Sequence, residues 1–242
     1  MPTTEAAAIG HKREGKLGGG PGARRRPVLR MPEPWEFELL RLIAEQGAIP
    51  FDQLARFLDC DQRRAANLAK HLTKSGFADY GRFLHDEPPW VWLSGRGMRL
   101  SGTGFGYLRP KIGAMARMRA VNEVRLHIAR RAPDARWICG RSVVREQGLK
   151  GYRPNAVVEI GRERHAIVVK RRAHMPEHER EVIETHMARH DAVVAFCRPK
   201  PRNLLKRLQA EHHWPKLVIR DIPRPSGDHN GSSQIQDLKS DR

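Results

Sequence analysis

The chain has 242 residues, 39% of them hydrophobic, and 45 Lys and Arg against 27 Asp and Glu, a formal charge of +18. A surplus that large repels itself unless a polyanion neutralises it, so nucleic acid is the expected partner and a membrane surface the rival. The rival is excluded by the absence of any apolar run of about 18 residues and of a long basic amphipathic helix with a Trp/Leu face.

The N-terminus has no apolar leader core, so export is not expected. Cys60, Cys139 and Cys197 lie far apart with no CxxC spacing. That pattern suits reduced thiols and rules out a zinc finger built on cysteine pairs. The expected location is cytoplasmic, at the nucleoid.

Residues 1–32 combine Gly18-Gly19-Gly20-Pro21-Gly22 with Arg24-Arg25-Arg26 and almost no apolar content. Such a segment buries too little surface to offset its ordering entropy and reads as a disordered basic arm. Pro34 then opens a helix to about Gln46, with Phe37, Leu40, Ile43 and Ala44 on one face and Gly47 as its stop. Pro50 opens a second helix carrying Phe51, Leu54, Ala55 and Leu58 at helical spacing. Asp59-Cys60-Asp61 turns and caps a third helix, residues 62–74, whose core positions are Ala65, Leu68, Ala69 and Leu72.

The opposite face of the third helix carries Arg63, Asn67, Lys70 and Lys74 and no acid. At about 100° per residue these four share one narrow sector. Arg reads guanine edges, Asn reads adenine, and Lys finds phosphates. Residues 78–84 and 90–93 predict a hairpin around His85-Asp86-Glu87-Pro88-Pro89, and Arg82 on it is a candidate phosphate or minor-groove contact. Residues 94–100 predict a short closing helix. Three helices and a wing over 33–107 define a winged helix-turn-helix, whose third helix would enter the major groove of duplex DNA.

After the Gly-rich passage 101–106, residues 115–222 alternate helices and strands. Helices are expected at 115–131, 176–189 and 201–212. Strands are expected at 137–145, 153–160, 165–171, 192–196 and 217–219. The order αβββαβ with an added αβ is a small α/β layer, so the whole chain is α+β. Residues 223–242 read as a polar disordered tail.

The winged helix, Ala120-Val121-Asn122-Glu123-Val124-Arg125 and Tyr152-Arg153-Pro154-Asn155-Ala156-Val157-Val158-Glu159 together resemble the replication-relaxation family of plasmids and integrative elements. That resemblance covers roughly residues 35–200. It implies a PD-(D/E)XK nuclease-like second domain and a role in transcription control, replication or mobilisation of a mobile element. The family pattern puts an Asp where this chain has Asn155, and an acid two residues before Lys170, where it has Val168.

A divalent metal needs those carboxylates, so the resemblance implies a non-catalytic domain with no cofactor. Lys170, Arg171 and Arg172 would then add positive charge for DNA. The alternative is a metal-dependent nuclease with a migrated site, built from Glu159 and Lys170 with Glu123 or Glu181. His186 and His190, four apart, and His174 with His178 lack a third ligand and read as solvated. No GxGxxG or GxxxxGK motif supports nucleotide binding. Besides double-stranded DNA, the partners to consider are a second copy of the chain or a relaxase or replication protein.

Overall fold

A computed structural model describes residues 30–83, 85–148 and 151–224. The expected arm and tail lie almost wholly outside the described residues. Within them the chain folds as an α+β protein with eight helices and two sheets.

The N-terminal block opens with α1 (Pro34–Gln46), β1 (Ile49–Pro50), α2 (Phe51–Phe57) and α3 (Gln62–Lys74). It closes with β2 (Ala78–Gly81), β3 (Trp90–Leu93) and α4 (Gly95–Leu100). Pro34 at the first turn of α1 suits a position whose N–H needs no helical partner. Asp61 caps α3 by accepting from the Arg64 N–H at 2.8 Å. Ser94 caps α4 by accepting from the Gly97 N–H. Leu40, Ile43, Leu54, Ala65, Ala69 and Leu72 are fully buried and knit the three helices into one core. A glycine is required at 97, because a β-carbon there would overlap the Phe77 carbonyl.

Four expectations for this block change. Leu68, expected in the core of α3, is only half-buried at its edge, because the inner face of α3 is centred on Ala65, Ala69 and Leu72. Phe37 is exposed and Leu39 takes its core place, since the apolar stripe of α1 is offset by the packing of α3 and α4. The first hairpin strand ends at Gly81 rather than near 84. Residues Ile49 and Pro50, read only as a helix approach, pair antiparallel with Val91 and Trp90 as an edge strand of order β1-β3-β2. Two residues are too short to show alternation in sequence.

The C-terminal block contains α5 (Ile112–Arg131), β4 (Arg136–Cys139), α6 (Gly140–Gln147), β5 (Ala156–Ile160) and β6 (Glu163–Lys170). It continues with α7 (Pro176–Met187), β7 (Ala192–Cys197), α8 (Pro199–His212) and β8 (Leu217–Asp221). The sheet order is β4-β5-β6-β7-β8, with two antiparallel pairings followed by two parallel ones. Helix α5 covers one face through Ala120 and Val124. Helices α7 and α8 cover the other through Ile183, Leu205 and Leu208.

The expected strand over 137–145 is corrected. It stops at Cys139, and α6 follows. Gly140 donates to the Asn155 carbonyl and lies too close to Pro154 and Asn155 for any side chain. That contact ends the ladder. Arg141 to Gln147 then continue as helix, closed by Gly148 in the left-handed conformation. The observed order is therefore αβαββαβαβ rather than αβββαβ with an added αβ.

The two blocks meet on α5. Asn122 and Glu123 are buried there, and both face α2. Gln53 donates to Glu123 Oε1 at 2.8 Å, and Arg56 donates to the same oxygen at 2.7 Å. Asn122 donates to Gln53 Oε1 at 3.0 Å and to the Ala48 carbonyl. Around this centre, Arg119 pairs with Asp52 and Arg125 with Glu45. Trp90 adds an apolar contact with Met115. No helix among the described residues is long and apolar enough to cross a membrane. The cysteines are free, and burial pushes the Cys197 thiol up to about 12.

Replacing Glu123 by Ala removes the shared acceptor and strands Arg56 and Gln53 at the interface. We expect a loss of about 3 kcal/mol in urea-denaturation stability, the usual scale for breaking a buried ion pair. A loss under about 0.5 kcal/mol, the scale of an ordinary surface change, would show that the contact does not hold the blocks together.

Candidate nucleic-acid interface

Helix α3 spans the residues expected from its cap and period. Its inner face is Ala65, Ala69 and Leu72, all fully buried. Arg63, Asn67, Lys70 and Lys74 are all exposed on the outer side. Their positions fall within a sector of about 60° at the helical repeat. None of the four has a hydrogen-bond or ion-pair partner among the described residues. Their polar ends are therefore free for a ligand, with no internal bond to break first. The sharp entry to α3 is made by Asp59, which adopts a positive φ of 48°, and by the Cys60 N–H donating to the Ala55 carbonyl. Asp tolerates that conformation better than most residues.

Arg82 lies just beyond β2, in the connection to β3, and is exposed. One of its guanidinium nitrogens donates to the His85 carbonyl at 3.0 Å, which holds the hairpin loop closed. Its remaining donors have no partner among the described residues. Arg171 and Arg172 follow directly on β6. Lys170 is paired with Cys197 across the sheet, and the Arg198 N–H donates to the Lys170 carbonyl. Arg171 and Arg198 thus leave adjacent strand ends together. Burial, with Arg198 and Arg172 nearby, pulls the Arg171 guanidinium below its ordinary value, opposed by Glu87 of the hairpin. The cationic strand end of the second block therefore lies near the hairpin of the first. Arg198 did not figure in the sequence reading. Its only signal was a position just past a parallel strand end.

Lys170 behaves differently from its expectation as an unneutralised cation. Its ammonium lies 2.7 Å from Glu179 Oε2, and the two side chains are 12% and 1% exposed. Glu179 also accepts from the His174 N–H. The signal for this acid was in the sequence. Glu179, Val182, Ile183 and His186 recur at i, i+3, i+4 and i+7 on α7, so Glu179 occupies the buried stripe and needs a cation there.

The carboxylate positions implied by the nuclease resemblance are otherwise occupied. Asn155 Oδ1 accepts from the Val169 N–H at 2.7 Å, stitching β5 to β6. Val168 is buried in the core beneath α7 and α8. The migrated-site alternative also meets a distance problem. Glu159 is opposite Arg164, and Lys170 lies six residues further along β6, roughly 20 Å away at strand rise. Glu159 is held by Arg136 and Arg164, Glu123 by α2, and Glu181 by the Tyr152 hydroxyl. Among the described residues no group of three or more His, Cys, Asp or Glu side chains converges as a metal site.

Of the two histidine pairs expected to be solvated, His174 is exposed and His178 half-buried, whereas His186 and His190 are buried. His186 is 1% exposed and His190 is 6% exposed. His190 Nδ1 donates to the His186 carbonyl at 2.9 Å. Burial is the main cause that lowers the His186 pKa to about 4, with His190, Lys170 and Arg189 adding repulsion. The chain matches no protein-family model, and no curated protein or solved structure is significantly similar to it.

The buried His186 makes stability fall in acid. The unfolded chain takes up a proton near the ordinary value of 6.5, whereas the folded chain resists until about 4. As pH falls through that window the unfolded state is favoured, by up to about 3 kcal/mol. His186→Gln should flatten the stability profile between pH 6.5 and 4, read by urea denaturation at fixed salt. An unchanged slope would place the acid sensitivity elsewhere.

Proposed function

We propose that this chain is a sequence-selective double-stranded DNA-binding protein with a winged helix-turn-helix in its N-terminal block. The observation that carries the reading is the outer face of α3. Four unpartnered side chains, Arg63, Asn67, Lys70 and Lys74, fill one sector, and no acid interrupts it. An α-helix fits the major groove, and this mixture of base-reading and phosphate-seeking groups is what such a helix needs. The hairpin with Arg82 is the wing. Arg171, Arg172 and Arg198 form a second cationic surface beside it, suited to the backbone of the same duplex. Lys170, expected to add charge here, is neutralised by the buried Glu179 and is not part of this surface.

We read the second block, whose five-stranded sheet has two antiparallel pairings followed by two parallel ones and helices on both faces, as a non-catalytic relative of the PD-(D/E)XK class. Asn155 and Val168 perform packing and backbone duties where metal ligands would be needed. The sequence motifs on α5 and β5 support the replication-relaxation resemblance, from whose pattern Asn155 and Val168 depart, and with it a role on a bacterial mobile element in transcription control, replication or mobilisation. A cytoplasmic, nucleoid-associated location follows from that role. A relaxase, a replication protein or a second copy is the further partner such a role calls for.

Arg63→Ala and Asn67→Ala should each cost about 1–3 kcal/mol at a cognate site and relax its sequence preference. Lys70→Ala and Lys74→Ala should weaken all duplexes alike and shallow the salt dependence by about one counterion each. Fluorescence anisotropy on selected and random duplexes across a salt series reads both effects. Equal losses for all four variants on both duplexes would remove α3 as the reader.

The protein is expected to leave supercoiled plasmid intact with Mg²⁺ or Mn²⁺. Metal-dependent nicking that vanishes in Glu159→Gln or Glu179→Gln would establish a nuclease instead.

A further inference from the structure

Helix α5 does not cover the whole face of the five-stranded sheet. Its core contacts through Ala120 and Val124 lie over β5, β6 and β7. Along its last turns, a cavity of about 340 Å³ opens between α5, the facing side of β5 to β8 and the edge of α8. The floor is apolar. Ile167, Val194 and Phe196 are at most 7% exposed, and Val218 completes the row on β8.

The rim is cationic. Arg131 stands at the end of α5, Lys206 on α8 and Arg220 on β8. All three are exposed, and none has an acidic partner among the described residues. The one carboxylate at the rim, Asp221, is already held by Arg202 in two contacts of 2.7 and 2.8 Å. His127 closes the α5 side, edge-on to Phe196 with ring centroids 6.1 Å apart. Burial and the nearby Arg131 and Arg130 lower its pKa, so near neutral pH the ring is an uncharged donor and acceptor.

We infer that this cavity is a binding site for a small organic anion with a flat or aliphatic apolar body. Its size falls in the range of about 300–1,000 Å³ typical of small-molecule sites, and its walls bring together an apolar floor and an unneutralised cationic rim. The apolar body replaces water over Ile167, Val194, Phe196 and Val218. The anionic head lies at the mouth, among Arg131, Lys206 and Arg220, where three cations otherwise repel one another. A metal ion is disfavoured by the lack of a free carboxylate. An extended peptide or nucleic-acid strand is disfavoured by the small volume. This site is separate from α3 and does not depend on the DNA-binding reading.

The probe is 1-anilinonaphthalene-8-sulfonate, titrated into the full chain and followed by its fluorescence, with N-phenyl-1-naphthylamine as the uncharged analogue. We expect saturable one-to-one binding of the sulfonate and at least tenfold weaker binding of the analogue. The double variant Lys206→Glu/Arg220→Glu should lose at least tenfold in sulfonate affinity. Both changes are on exposed side chains, and unchanged circular dichroism with a cooperative thermal transition verifies the fold. Val218→Trp should fill the cavity and abolish binding, while Lys70→Ala on α3 should leave it unchanged. The proposal is overturned if the charge-reversed variant binds the sulfonate within twofold of the parent, or if the uncharged analogue binds equally well. It is also overturned if Lys70→Ala removes the signal, which would place the probe on the DNA-reading face.

Discussion

Glu123 sits where one helix has to satisfy two blocks of the fold. Its carboxylate oxygen accepts from both Gln53 and Arg56 of α2, while Val124, the next residue, faces the five-stranded sheet. Helix α5 is amphipathic in an unusual sense, with a polar but buried side toward α2 and an apolar side toward the sheet. Burying a carboxylate is costly unless it is paired and hydrogen-bonded, so the arrangement holds only with Gln53, Arg56 and Asn122 all in place. A purely apolar interface could slide. A network of directional bonds fixes one register between the blocks, and with it the spacing between α3, the hairpin and the strand ends that carry Arg171 and Arg198.

That constraint explains which parts of the fold were legible in sequence. Helices α1 and α3 were readable because a single side of each is buried and their ends carry Pro34, Gly47, Asp61 and Gly76. Residue-level burial on α1 was less readable, since Phe37 and Leu39 are equally apolar and only the placement of α3 and α4 decides between them. Strand β1 exists only because Val91 and Trp90 offer it an edge. Helix α6 replaced an expected strand because the ladder ends where Gly140 meets Pro154 and Asn155, a contact far apart in sequence.

The candidate site divides in the same way. The outer face of α3 follows from one helix and its period, so it could be drawn from the sequence alone. The surroundings of Lys170 could not, because its partner comes from the next helix. Glu179 had a local clue, an acid in the apolar stripe of α7, but the cation it meets is set by tertiary packing. The distance between Glu159 and Lys170 is likewise a matter of register. Both lie on neighbouring strands, yet the antiparallel pairing that puts Glu159 opposite Arg164 sends Lys170 toward the other end of the sheet.

The net charge of +18 leaves many cations without an acid, and several of the acids are committed to intramolecular contacts. Glu45, Asp52 and Glu123 hold α5 in place, Glu179 neutralises Lys170, Asp61 caps α3, and Asp221 takes Arg202. Each of these carboxylates does structural work at a seam or a helix end. Cations without an ion-pair partner among the described residues stand on α3, at the strand ends with Arg171, Arg172 and Arg198, and around the cavity beside α5. At α3 they alternate with an amide on a convex helix, which suits the edge of a base pair and its phosphates. Beside α5 they ring an apolar hollow, which suits a compact amphiphile. The same surplus of charge therefore yields two different kinds of surface, and the shape beneath the charge decides what each can hold.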